Sequence, residues 1–177
     1  MQERNYLPRQ IKKKIYSCLL LFVLIVFSSS GYANIDNEKT IHVEADNLQF
    51  NNETKIGTYQ GHIKVTQGSR ILTADHAISY SNQAGELTKI IASGHPAVYH
   101  AFVFHKQPKL IATGNTIYYY PLKDYLEAVG DAQIIQGQNH FQGPQINYDF
   151  KKRTVVSPLS KEGHTKISLV PIRTLHS

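Results

Sequence analysis

The chain has 177 residues, 41% of them apolar and 18% charged, with a formal net charge of +6 and a single cysteine. That length suits one domain once any targeting segment is set aside. A lone cysteine excludes an internal disulfide framework, and the position of the basic residues decides what the net charge means.

Residues 1–33 carry Arg4, Arg9 and the run Lys12-Lys13-Lys14, then the apolar stretch "CLLLFVLIVF" (18–27), then "SSSGYA" ending at Ala33. This is the layout of a cleavable signal peptide, with the cut after Ala33. The apolar run is too short for the roughly 20 residues that span a bilayer. Cys18 opens the apolar run rather than flanking the cut, which argues against a lipid anchor there. The leader holds five of the 19 basic residues and one of the 13 acidic ones, so 34–177 keeps 14 against 12, a net +2. A nucleic-acid partner argued from net charge is therefore excluded. The expected organisation is a leader, 1–33, and one domain, 34–177, with a short lead and a flexible tail.

After the leader, strand signals dominate. "IHVEA" (41–45), "HIKV" (62–65), "KIIA" (89–92), "AVYHAFVF" (97–104), "NTIYYY" (115–120), "QINYDF" (145–150) and "HTKISLV" (164–170) are rich in β-branched and aromatic residues, and many alternate apolar with polar. Turn clusters separate them: "NNET" (51–54), "SNQAGE" (81–86) and "QGQN" (136–139). The sole helix candidate is "LKDYLEAV" (122–129), which Pro121 would open.

An internal repeat argues against that helix. Gly61, Gly94, Gly130 and Gly163 each begin G-x-x-x-[V/I], at steps of 33, 36 and 33. A second marker, Asp46, Asp75, Gly114 and Gly143, steps by 29, 39 and 29. There are thus four units in two pairs, and "GHIKVTQG" (61–68) returns as "GDAQIIQG" (130–137). In this register "LKDYLEAV" falls opposite "ETKIGTYQ" (53–60), a turn leading into a strand. Each unit is two short strands and a turn, with a face that only a neighbour can bury. Stacked units give an elongated all-β sandwich, roll or solenoid with open ends, and the glycines mark corners.

Taken in order, "VEADNLQF", "YQGHIKVTQGSRILTADHAISY", "ASGHPAVYH", "IATGNTIYYY", "GDAQIIQG" and "GPQINY" resemble the LptA/OstA-like family of periplasmic lipopolysaccharide-transport bridges, over about residues 40–170. The resemblance implies an antiparallel β-jellyroll open at both ends, with an apolar interior that carries lipopolysaccharide acyl chains. It implies no enzymatic activity and no cofactor. It also implies head-to-tail self-association and partners at the two edge strands: an LptC-like inner-membrane protein and the N-terminal domain of an LptD-like outer-membrane translocon. A carrier is needed because burying a CH₂ gains roughly 0.8 kcal/mol, so a 12-carbon chain loses on the order of 9–10 kcal/mol in water.

Alternation selects an interior set: Ile41, Val43, Leu48, Phe50, Ile63, Val65, Ile78, Tyr80, Ile91, Val98, Phe102, Ile117, Tyr119, Ile134, Ile146 and Tyr148. Each position reads first as core filling, with lipid contact as the alternative. "IHVEA" and "HTKISLV" are the edge strands, with Lys166 and Pro171 as mild blocking devices.

"FHKQPK" (104–109) and "KKR" (151–153) supply headgroup candidates: Lys106, Lys109, Lys151, Lys152 and Arg153. Solvated loops explain them as well. Nine histidines raise a metal site, but no H-x-H or H-E-x-x-H spacing occurs. His62, His95 and His164 read as exposed strand residues, and no metal is expected. No nucleophile signature or recurring carboxylate pair points to catalysis. Two other readings remain: an LptC-like relative tethered by an uncut N-terminal helix, and an exported polysaccharide-binding β-repeat protein. The latter would need exposed aromatics, for which Tyr99, Tyr118 and Tyr120 are the outward candidates.

Overall fold

The computed structural model describes residues 39–101, 110–161 and 163–170. The leader, Phe102, Lys106, Lys109 and Pro171 lie outside the described residues. The rest is one ten-stranded antiparallel sheet: β1 (Ile41–Glu44), β2 (Asn47–Asn51), β3 (Ile56–Gln67), β4 (Arg70–Ser81), β5 (Leu87–Ala101), β6 (Leu110–Tyr120), β7 (Tyr125–Gln136), β8 (Asn139–Asp149), β9 (Thr154–Val156) and β10 (Lys166–Ser168). Neighbours run β1-β3-β4-β5-β6-β7-β8-β10, with β2 also on β3 and β9 also on β8. The all-β, open-ended expectation is met. "LKDYLEAV" is no helix but a single 3-10 turn, Pro121–Lys123, followed by β7, as the repeat required.

The sheet bends once along a line that crosses every long strand. Its register shifts along that line at Gln60/Ile63, Thr73/His76, Ser93/Ala97, Thr113/Thr116 and Val129/Ala132, in every ladder from β3·β4 to β7·β8, and β4·β5 has a second shift near its end at Tyr80/Ser81. The line divides the sheet into two leaves. Leaf one runs from β1 through the second half of β3 to β10. Leaf two runs from β2 through the first half of β3 to β9. Bulges are where a strand changes direction, and here they sit side by side, so the whole sheet folds at one corner.

The repeated glycines make that corner. Gly61 and His62 have φ of 76° and 43°, and Gly130 and Asp131 repeat them at 74° and 50°. Glycine is strain-free there, whereas a Cβ on Gly130 would lie 2.7 Å from Asn115 Nδ2. The two stretches of the duplicated motif are therefore the same structural device, used in β3 and in β7. Ordered small residues flank it on the inner face: Ala74 and Ala77, Ala92 and Ala97, Ala128 and Ala132 are all buried. Small side chains let the leaves converge toward the corner.

The corner also sets which residues face inward. In β3 and β7 two left-handed residues are inserted, and the period-two set keeps its phase: Tyr59 then Ile63, Leu126 and Ala128 then Ala132 and Ile134. In β4 the inward residues are Arg70, Leu72 and Ala74 before the corner and Ala77 and Ser79 after it, so the phase flips. β5 flips likewise, from Ile90 and Ala92 to Ala97, Tyr99 and Ala101.

Candidate functional site

Most of the sequence-selected interior set faces inward. Ile63, Val65, Ile117, Tyr119, Ile134, Ile146 and Tyr148 are buried, and Ile41 and Val43 pack partly against them. Ile78, Tyr80, Ile91 and Val98 do not face inward. They lie on the outer face: past the bulge in β4 the inward residues are Ala77 and Ser79, and in β5 Ile91 pairs with Ile78 and Val98 with Thr73, each sharing its partner's outward side. Tyr99, taken as an outward candidate, is correspondingly buried in the core. Tyr118 and Tyr120 do face outward, beside Glu127 and Tyr125. Simple counting also passed over Tyr59, Leu72, Ile90, Leu126 and Phe141. The signal for the phase change was present in the closely spaced alanines of "LTADHA".

Leu48 and Phe50 form a separate class. Cross-strand partners share a face, so pairing with Tyr59 and Gly57 turns both inward. They nevertheless remain 55% and 45% exposed. The reason is positional: β2 is an edge strand of leaf two, and the opposite edge strand of leaf one, β1, does not close over it. Between them opens a trough of about 560 Å³. Ile41, Val43 and Val65 line it from leaf one, and Phe50, Tyr59, Ala77 and Ile90 from leaf two, with Leu87, Pro121 and Leu122 at the rim. That volume is in the range of small-molecule sites, and the walls are mainly apolar, with Lys39, Gln67, Ser79, Ser81 and Glu86 as the polar residues among them.

Gln67 lines the trough, and a buried polar cluster lies beside it. Arg70, on leaf one, reaches across to Asp124, which follows the 3-10 turn at the edge of leaf two; Nη2 lies 2.8 Å from Oδ1. Arg70 and Asp124 are 4% and 0% exposed. Arg70 Nη1 donates to Tyr119 Oη at 2.6 Å, and that hydroxyl donates to Gln67 Oε1 at 3.3 Å. The Phe150 ring lies 4.9 Å from the guanidinium, and the Phe150 N–H donates to the Asp124 carbonyl at 3.0 Å. Tyr99 packs at 5.2 Å from Tyr119 and 5.7 Å from Phe150. Burial alone would lower the Arg70 pKa, but Tyr99, Tyr119 and Asp124 around it raise it above its ordinary value. Burial raises the phenols of Tyr99 and Tyr119, so both are neutral. The cluster pins the leaves together, and Gln136 adds a further bond between them, donating to Tyr148 Oη at 3.0 Å.

The histidines after the repeat glycines are exposed, as expected, yet two of them are paired. His62 Nδ1 lies 2.6 Å from Asp46 Oδ2, and His95 Nδ1 lies 3.1 Å from Asp75 Oδ2. Both repeat markers therefore meet along the outside of the corner. The hydrogen bond to Asp46, and then its charge, raises the His62 pKa. Among the described residues no group of three His, Cys, Asp or Glu is arranged to hold a metal.

Lys151, Lys152 and Arg153 are exposed in the β8–β9 turn, at the other side of the sheet from the trough. The Lys152 N–H donates to Asp149 Oδ1 at 2.9 Å, and its ammonium lies 3.5 Å from Oδ2. The structure thus does not bring these cations to the apolar walls. At that far end Val156, Leu159, Ile167, Leu169 and Val170 are exposed apolar residues, with β9 and β10 as the edge strands.

Three comparisons with known proteins bear on this geometry. A family model described as LptA/(LptD N-terminal domain) LPS transport protein matches residues 42–154. The lipopolysaccharide export system protein LptH of Pseudomonas aeruginosa is 29% identical over 120 residues, 68% of this chain and 69% of that protein. The export protein LptA of Escherichia coli K12 is 25% identical over 157 residues, 88% and 82% of the two chains. The crystal structure of Pseudomonas aeruginosa LptH, titled the LptA-homologous periplasmic component of the lipopolysaccharide transport device, superposes with a TM-score of 0.71. It is 25% identical, and the match covers 77% of this chain and 99% of that one.

Proposed function

The chain belongs to the LptA/(LptD N-terminal domain) LPS transport protein family, and from that premise we propose that it is a non-catalytic periplasmic carrier of lipopolysaccharide, loaded through the trough between β1 and β2. One observation carries the reading: Leu48 and Phe50 point inward yet stay open to solvent, and Phe50 lines the trough together with Ile41, Val43 and Tyr59. An inward apolar side chain left exposed is unfavourable unless something covers it, and an acyl chain gains roughly 0.8 kcal/mol for each CH₂ placed there. The leader, 1–33, delivers the chain to the periplasm and is removed.

The two ends of the sheet carry the bridging part of the proposal. Among the described residues, β1 and β2 at one end, and β9 and β10 at the other, have no strand on their outer edges, which a strand from another subunit can extend. Contacts of that kind join unlike ends, do not close, and build filaments. One end meets an LptC-like inner-membrane protein, the other an LptD-like translocon domain, and copies of the chain stack between them. Lys151, Lys152 and Arg153 at the far end are suited to the phosphates of a lipid in passage.

A photo-crosslinking residue at Phe50 tests the loading site. Lipopolysaccharide adducts are expected at Phe50 and Val43, with few at the fully buried Ile117 and none at the outward Lys64. Adducts confined to Lys64 would sink the trough reading. Sedimentation tests the stacking: association that grows with concentration is expected, and a monomer at high concentration, with or without the inner-membrane partner, would refute it.

A further inference from the structure

The outer face of leaf two carries a side-chain arrangement that neither the trough nor the sheet edges use. Register sets Tyr80 beside Lys89, Tyr118 beside Glu127 and Tyr120 beside Tyr125. The Lys89 ammonium lies 5.8, 5.2 and 5.8 Å from the ring centroids of Tyr80, Tyr118 and Tyr120, joining three rings into one platform across β4, β5 and β6. Where the platform meets β7, the rings of Tyr120 and Tyr125 stand 6.0 Å apart, inclined by 44°. They wall a concavity of about 330 Å³ whose other lining residues are Lys123, Glu127 and Asp149.

The chemistry of that lining is mixed. Burial, followed by the nearby Glu127, raises the phenols of Tyr120 and Tyr125, so both remain neutral hydroxyls that donate and accept. The Lys152 N–H holds Asp149 below the usual carboxylate range, so it is an acceptor. An aliphatic ligand would strip water from Lys123, Glu127 and Asp149 and give nothing back. A phosphorylated ligand would face two carboxylates. A pyranose ring fits both requirements, with an apolar C–H face for the tyrosine rings and a rim of hydroxyls for the charged groups.

We propose that the groove formed by Tyr120, Tyr125, Lys123, Glu127 and Asp149 is a saccharide-binding site on the outside of the roll, separate from the acyl trough. The pyranose is either the sugar portion of a glycolipid or a unit of a free polysaccharide, and the shared chemistry is the ring itself.

The test is an NMR titration of the mature chain with two probes, a delipidated oligosaccharide released from lipopolysaccharide and a lipid-free glucan. Saturable shifts centred on Tyr120, Tyr125 and Glu127 are expected. Binding weakens roughly tenfold in Tyr125→Ala, changes little in Tyr125→Phe, which keeps the ring, and falls severalfold in Glu127→Gln, which keeps the packing. Phe50→Ala in the trough leaves it unchanged, so failure of the trough reading and failure of this one are separable. A response to the lipopolysaccharide-derived sugar alone assigns the site to a glycolipid, and an equal response to both assigns it to free polysaccharide. Absence of shifts at the groove with either probe, or wild-type affinity in both Tyr125→Ala and Glu127→Gln, would overturn the proposal.

Discussion

Two stretches of the same inner face behave in opposite ways. Across β4 to β8 the leaves touch: Ile117, Ile134 and Ile146 are completely buried, and the buried Arg70–Asp124 pair ties one leaf to the other. At β1 to β3 the leaves part, and Leu48 and Phe50 face the same interior from the solvent side. The alternation of the strands is alike in both. What differs is whether a second leaf arrives within contact distance, so facing inward and being accessible to a ligand are separate properties. Gln67 stands at the boundary, lining the trough on one side and accepting from Tyr119 on the other.

The largest expected effect breaks the closed stretch. Asp124→Asn keeps the left-handed backbone but removes the carboxylate charge that faces the buried Arg70 guanidinium, and should cost about 3–5 kcal/mol in urea unfolding. Replacing both partners, Arg70→Met with Asp124→Leu, should recover most of that loss, although leucine is strained at the left-handed position. A loss below about 1 kcal/mol in Asp124→Asn would show that the pair does not hold the leaves.

Truncation compares the two stretches directly. Ile134→Ala should cost about 2–5 kcal/mol through lost burial and a cavity. Phe50→Ala, already half in water, should change stability by under about 1 kcal/mol while reducing lipopolysaccharide crosslinking at Val43. Equal costs at the two sites would erase the distinction between core and trough.

The corner that joins the stretches is next. Gly130→Ala demands a left-handed alanine and crowds Asn115, for an expected cost of about 1–2 kcal/mol by thermal unfolding. The smallest effect lies on the outside of that corner. The His62–Asp46 pair stabilises fully below the ordinary imidazole pKa, near 6.5, and its contribution is lost as pH rises through the raised folded-state value. In an NMR titration Asp46→Asn should bring His62 back toward its ordinary pKa. An unchanged His62 titration would mean that the pair is not formed in solution.

Much of the architecture could be read from the chain. The return of "GHIKVTQG" as "GDAQIIQG" marked two equivalent strands, and it ruled out a helix at 122–129 that local spacing alone allowed. Inner faces followed wherever a strand kept its phase through the corner, as at Ile63, Val65 and Ile134. They failed at Ile78 and Tyr80, because a bulge in β4 exchanges the two faces, and at Ile91 and Val98, whose neighbours Ile90 and Tyr99 take the inner side. A count by twos cannot register a bulge whose sign is only a pair of closely spaced alanines.

The sequence by itself determined an all-β repeat, free of cysteine beyond residue 33, and the glycines at its corner, because periodicity and backbone freedom are local properties. Only the tertiary structure decided that Arg70 meets Asp124 across 54 positions, that Tyr120 and Tyr125 wall a groove, and that Leu48 and Phe50 stay open. Those outcomes depend on how far apart the two leaves stand at each point, and that separation is set by the whole sheet bending at once.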